Sequence, residues 1–212
     1  MVINKLNPTF YNKLLYFILM KLGSIFTTLF TTELKSVLKL EKLENKSAKE
    51  VVDIWNTFHG SLPEAVSIAM NINKRNLFIE RLTSNPLFMQ PILRNPEFFF
   101  VYSHPGNSNK FITFYPMTQQ IQDPLNADPC FILRIFDELE NSHKIHLIRG
   151  DIIEKSLSKA EAERLMRGLL AYYIETELFE ENVVLFNSQL SKFDHNKFLD
   201  EYIERFGRIE NN

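Results

Sequence analysis

A chain of 212 residues has room for one domain: domains usually run to about 100–200 residues, and a fold of that size buries roughly 70% of the open chain's surface. Hydrophobic residues make up 45% and include 19 Phe, ample material for one core, while a formal charge of −2 gives no whole-chain basis for nucleic-acid binding, which shows as a strongly basic domain. Cys130 is the single cysteine, so an internal disulfide and any Cys-x-x-Cys site for zinc or redox chemistry are excluded.

Residues 1–32 stand apart. Lys5, Lys13 and Lys21 are their only charged side chains, and the first acid in the chain is Glu33. A basic, acid-free, hydroxyl-containing amphipathic start suits a mitochondrial targeting segment. The apolar run Leu14–Met20 also suits the core of a secretory signal, and Arg is absent. A membrane span needs about 20 apolar residues, and Lys21 with Gly23 interrupts 14–30. The expectation is a targeting segment over 1–32, mitochondrial rather than secretory and without stable membrane insertion, then a single domain over 33–212.

Along that domain, Leu34, Val37, Leu38 and Leu40 lie near helical spacing. Ser47-Ala48-Lys49-Glu50 is a capping box that opens a helix carrying Val51, Ile54, Trp55 and Phe58, with Gly60 at its end. Ser61 and Pro63 read as a second helix start, and helical structure is expected to about Leu82. After Asn85-Pro86 the period changes. Phe98–Ser103 and Lys110–Tyr115 flank a Pro-Gly-Asn turn as a hairpin, and 116–129 is a Pro-, Asp- and Asn-rich loop. Phe131–Phe136 and Ile145–Arg149 form a second apolar pair, and short turns between such runs predict an antiparallel sheet. Ser158-Lys159-Ala160-Glu161 is another capping box, opening a helix with Leu165, Met166, Leu169, Leu170 and Tyr173 as its buried stripe. Glu181–Phe186 reads as a further strand and 195–206 as a terminal helix. The order of elements predicts an α+β fold, a mostly antiparallel sheet flanked by N-terminal, central and C-terminal helices.

Chemistry is sparse in this pattern. Six single glycines supply no phosphate-binding turn. His143 and His146 are three apart with no third ligand near, so no metal site and no cofactor are expected. No nucleophile elbow appears, and no His or acid is arranged around Cys130, which reads as a small buried residue opening a strand. The expectation is a binding protein rather than an enzyme.

The sheet is more informative. In the first hairpin Phe98, Phe100 and Tyr102 alternate with Phe99 and Val101, so both faces are apolar, whereas a half-solvated strand alternates with polar residues. Helices cover both faces, or one stays open for a partner. In the second pair, a two- or four-residue loop sets Arg134 directly across from Arg149. Opposed like charges are destabilising unless an anion relieves them. That anion is an acid of this chain or a carboxylate of a partner.

Several segments together resemble one family, the mitochondrial ATP synthase F(1) complex assembly factor that chaperones the β subunit. They are Ile54-Trp55 with Phe58-His59, Pro86 to Arg94 followed by Glu97-Phe98-Phe99, Ala127-Asp128-Pro129, and Leu147-Ile148-Arg149-Gly150. Ala160 and Ala162 on a helix ending at Tyr172-Tyr173, Phe186-Asn187 and Phe193-Asp194 complete the set. The chain departs from the family at Phe58, where tyrosine is usual, and at Asn95-Pro96. The resemblance covers roughly 50–195. It implies a mitochondrial matrix protein that binds the free F(1) β subunit, shields the apolar surface later covered by α, and needs no cofactor; the protein is expected to be monomeric. Its motifs do not name the contact residues. Arg94, Phe114, Arg134 and Arg149 are the partner-binding candidates, and Trp55, Phe88 and Pro91 are expected in the core.

Overall fold

The computed structural model describes residues 33–94, 97–106, 109–118, 127–155 and 157–207. The expected targeting segment over 1–32, and most of the loop over 116–129, lie outside them. Two single 3₁₀ turns, Leu34–Ser36 and Leu40–Lys42, stand where helical spacing was read. Helix α1 follows at Ala48–Gly60. Ser47 accepts from the Glu50 backbone N–H and Glu50 reaches back to the Ser47 N–H, the two halves of the expected box.

The next segment corrects the sequence reading. Ala65–Asn71 is not helix but strand β1. Ala and Met favour helix, but Val66, Ile68 and Met70 alternate with Ala65, Ser67 and Ala69, and pairing along β6 decides the outcome. Asn71 then caps helix α2, Ile72–Ser84, through a bond from Lys74 N. Strand β2, Phe88–Arg94, was not read from sequence because Pro91 sits at its centre; proline forfeits a ladder donor and is tolerated on an edge. Strands β3 (Glu97–Pro105), β4 (Phe111–Pro116), β5 (Phe131–Phe136) and β6 (Ile145–Ile152) occupy the expected places. The six strands form one sheet in the order β1-β6-β5-β4-β3-β2, every neighbouring pair antiparallel.

Helix α3, Lys159–Ile174, starts at the Ser158–Glu161 box and buries all five stripe residues read from sequence. Glu181–Phe186 is a second correction: π-helical bonding over Phe179–Val184 leads into an α-turn over Leu185–Ser188. A short apolar run does not separate strand from buried helix; here Phe179, Val183 and Phe186 face the core at helical spacing. Helix α4, His195–Phe206, follows, capped by Asp194. The fold is α+β.

Register divides the sheet into two faces. On one, Phe88 packs against Tyr172, Phe186 and Phe198 with ring centroids 4.9, 5.9 and 5.6 Å apart. Gln90 Nε2 donates to the Leu165 carbonyl at 3.2 Å, and Asn187 exchanges two bonds with the Leu87 backbone. This face lies beneath the C-terminal helical layer. The other face carries Trp55, Val51, Leu34 and Leu43 over Phe136, Ile145 and Leu147, a second and smaller core.

Candidate functional site

Trp55 and His59 sit one turn apart on α1, both fully buried. Trp55 Nε1 donates to the Ile148 carbonyl at 3.2 Å, and its ring lies 4.0 Å from that of His59. His59 Nδ1 donates to the Trp55 carbonyl at 2.8 Å, which fixes the neutral tautomer with an acceptor at Nε2. Burial lowers the His59 pKa and the Trp55 bond opposes it; Arg149 and Lys159 push it further down, and Asp151 pulls it up. Lys159 Nζ donates to the carbonyls of His59, Gly60 and Leu62 at 3.0, 2.8 and 2.8 Å. A cation on the open C-terminal carbonyls of α1 complements the helix dipole.

The residues expected to meet a partner fall on both faces. Phe114 lies under the helical layer, fully buried, its ring 5.2 Å from Phe131; it belongs to the core and offers no surface. Arg94 is also on that side. It forms a two-point pair with Glu161, Nε–Oε1 2.7 Å and Nη2–Oε2 3.2 Å, and lies 5.0 Å over the Phe99 ring. Burial raises the Glu161 pKa, but the bonds from Arg94 and Ser158 outweigh it and hold the carboxyl below its ordinary value. Arg94 therefore ties β2 to the start of α3.

Arg134 and Arg149 come together on the opposite face. They are direct cross-strand partners, in the register read from the sequence. The anion between them is Asp151, two residues after Arg149 and diagonal to Arg134. Its carboxylate lies 2.7 Å from Arg149 Nε and 3.4 Å from Arg134 Nε. Strand alternation puts residues i and i+2 on one face, the signal in the sequence that identifies Asp151. Gly150 has its own reason: a Cβ there would lie 2.4 Å from Phe131 Cζ and 2.7 Å from Val66 Cγ2. The Arg-Gly pair thus presents a cation on one face and admits a phenyl ring on the other.

These three charged groups line a cavity of about 390 Å³ between the segment Leu62–Ala65, which follows α1, and strands β5 and β6. Leu62, Pro63, Ile152 and Ile153 form apolar walls and Glu64 stands exposed beside them. Ile153 is 48% exposed, and Phe58 on α1 is 43% exposed. The arrangement suits electrostatic recognition. Cys130 is buried with its thiol pushed up to about 12, by burial first and Glu154 second, so it is no thiolate nucleophile at neutral pH. Among the described residues no three His, Cys, Asp or Glu side chains converge to hold a metal ion, and no helix is long and apolar enough to cross a membrane.

The residues read as family motifs thus fall into two spatial groups. Trp55 and His59 pack together on α1 beside β6, the strand that carries Arg149 and Gly150, whereas Phe88, Tyr172, Tyr173, Phe186 and Asn187 knit the helical layer to β2. A family model described as ATP11 protein matches residues 27–199. The chain belongs to the ATP11 family. One similar protein is the ATP synthase mitochondrial F1 complex assembly factor 1 of Danio rerio, 24% identical over 164 residues. The match covers 76% of this chain and 53% of that protein, so the chain spans about half of the relative's length. The ATP11 match includes α1, all six strands and α3, the elements that build both motif groups.

Proposed function

We propose that this ATP11-family chain is an assembly factor for the mitochondrial F1 ATP synthase. In this reading it works in the matrix, binds the free β subunit and prevents its aggregation until β pairs with α. The observation that carries the reading is membership of the ATP11 family across 27–199, to which the relative named as an F1 complex assembly factor adds a direction. The fold is compatible with such a role. One face of the sheet is committed to the helical layer, while the other presents half-buried charge beside exposed apolar side chains. Apolar contact supplies attraction in protein interfaces and charge supplies specificity. The reading is non-catalytic and needs no cofactor.

The test is light scattering of isolated F1 β subunit diluted from denaturant, with and without an equimolar amount of this protein. Suppressed scattering, reversed when α subunit is added, is the expected result. Unchanged scattering, together with no β recovered on the tagged protein from mitochondrial extract, would reject the reading. Recovery of a different polypeptide would point to another client, and residence of the full-length protein in the secretory pathway would exclude F1.

A further inference from the structure

We propose that β1 is a self-pairing edge: two copies of this chain join their sheets by antiparallel contact of Ala65–Asn71 with itself. The inference goes beyond the assembly-factor reading and does not depend on it. It also departs from the monomer expected from the sequence.

The two ends of the sheet are built differently. The order β1-β6-β5-β4-β3-β2 leaves β1 and β2 as its edges. An edge strand invites pairing with another strand unless proline, charge, a bulge or a covering segment prevents it. β2 is protected, with Pro91 at its centre and Arg94 at its end. β1 has none of these devices. Its residues, Ala-Val-Ser-Ile-Ala-Met-Asn, include no proline and no charge. It pairs with β6 over seven consecutive residues, so no bulge twists it away. Among the described residues no second strand pairs with it and no loop backbone bonds to Ala65–Met70. Ser67, Ile68 and Ala69 at its middle stay partly exposed.

The strand also fits itself. In a twofold pair one patch meets its own copy, residue i on j and j on i. Centring the pair on Ile68 uses all seven residues: Ile68 meets Ile68, Val66 meets Met70, Ser67 meets Ala69 and Ala65 meets Asn71. Moving the centre by one residue either way leaves two of the seven without a strand partner. Cross-strand partners share a face. Apolar side chains therefore meet on the face of Val66, Ile68 and Met70, and small or polar ones on the other. No like charges are opposed.

Charge at the two ends selects a second copy over a strand of another protein. Glu64, just before β1, and Lys74, in the first turn of α2, are both exposed. In this register Glu64 of each copy comes opposite Ile72 of the other, within one helical turn of the second copy's Lys74. The positive end of α2 and the Lys74 ammonium both favour a carboxylate there, and the twofold axis repeats the contact. A foreign strand would need an acid and a cation at matching spacing; a second copy has both. With the axis perpendicular to the joined sheet, the α1 sides of the two copies face the same way.

Sedimentation equilibrium of the full chain over a wide concentration range tests the pairing. Wild-type mass should rise from 25.0 kDa towards twice that value. Ile68→Lys sets two cations across from each other and should weaken association by about tenfold or more. An equimolar mixture of Ile68→Lys and Ile68→Glu should recover the doubled mass, because position 68 meets itself. Wild type that keeps the single mass at every concentration overturns the proposal. So does a natively folded Ile68→Lys that associates as the wild type does, since the contact then lies elsewhere. If the charged variants fail to fold, Ile68→Cys decides. A short bis-maleimide should link it into a covalent dimer and leave Ile203→Cys on α4 unlinked; no linked dimer from position 68 overturns the proposal. Single-mass wild type whose binding of isolated F1 β is lost in Ile68→Lys would also overturn it, and give the edge to a client strand.

Discussion

His104 shows what burial does to a single residue. Its ring lies near-parallel to those of Tyr102 and Tyr115, centroids 6.0 and 5.5 Å away, with Nδ1 donating to the Pro105 carbonyl at 3.0 Å. Burial pushes its pKa down to about 4, against that bond. The folded protein keeps His104 neutral, while the unfolded chain takes up a proton near pH 6.5. Stability should therefore be full above about pH 6.5 and fall through the window down to about pH 4, by roughly 3 kcal/mol from this group. Urea denaturation of wild type and His104→Gln across that range checks it, since the variant should lose this part of the slope. Gly150 gives a second residue-scale prediction. Gly150→Ala forces a methyl against Phe131 and Val66, and overpacking of this kind costs about 1–3 kcal/mol. A thermal melt of the variant should show the corresponding drop in Tm; an unchanged Tm would mean the Phe131 ring moves aside at no cost.

Elements were legible where local and long-range signals agreed. Both capping boxes, the α3 stripe, the two hairpins and the Arg134–Arg149 register follow from residue order alone. The helix expected from Ser61 turned out to be strand because Val66, Ile68 and Met70 find partners on β6, a contact made across more than 70 positions that no local propensity encodes. The strand expected at Glu181–Phe186 became helical for the opposite reason, since its apolar run is one side of a turn, with Phe186 packed against Phe88 and Phe193, rather than a ladder. Pro91 hid β2, and the same proline suits that strand to the sheet edge. The α3 start carries a prediction of its own. Ser158→Ala removes an N-cap acceptor and should cost about 1 kcal/mol. Glu161→Ala should cost more, because it also strips the two-point pair from Arg94. Denaturant midpoints of the two variants decide the order, and equal losses would show that the Arg94 pair adds nothing.

Across the whole molecule the two sides of the sheet are built differently. Phe114 is buried under the helical layer, and Arg94, on the same side, keeps its side chain 42% exposed while pairing with Glu161. Arg134 and Arg149 lie on the side beneath α1. Sequence located that pair through hairpin register, but the cavity depends on α1 ending above β6, a tertiary fact. Asp151 was within reach of the alternation rule, whereas the Lys159 clamp on the α1 carbonyls spans about a hundred residues and left no local trace. On the proposed function, the α1 side of the sheet receives the client. The most direct test of this placement puts a photo-reactive phenylalanine analogue at Ile153, beside the cavity, and in a separate protein at Ile203 on α4; both positions are exposed. Irradiation with isolated F1 β should give a crosslinked product from the Ile153 position and none from Ile203. Crosslinking from Ile203 alone would overturn this placement and move the client to the helical layer.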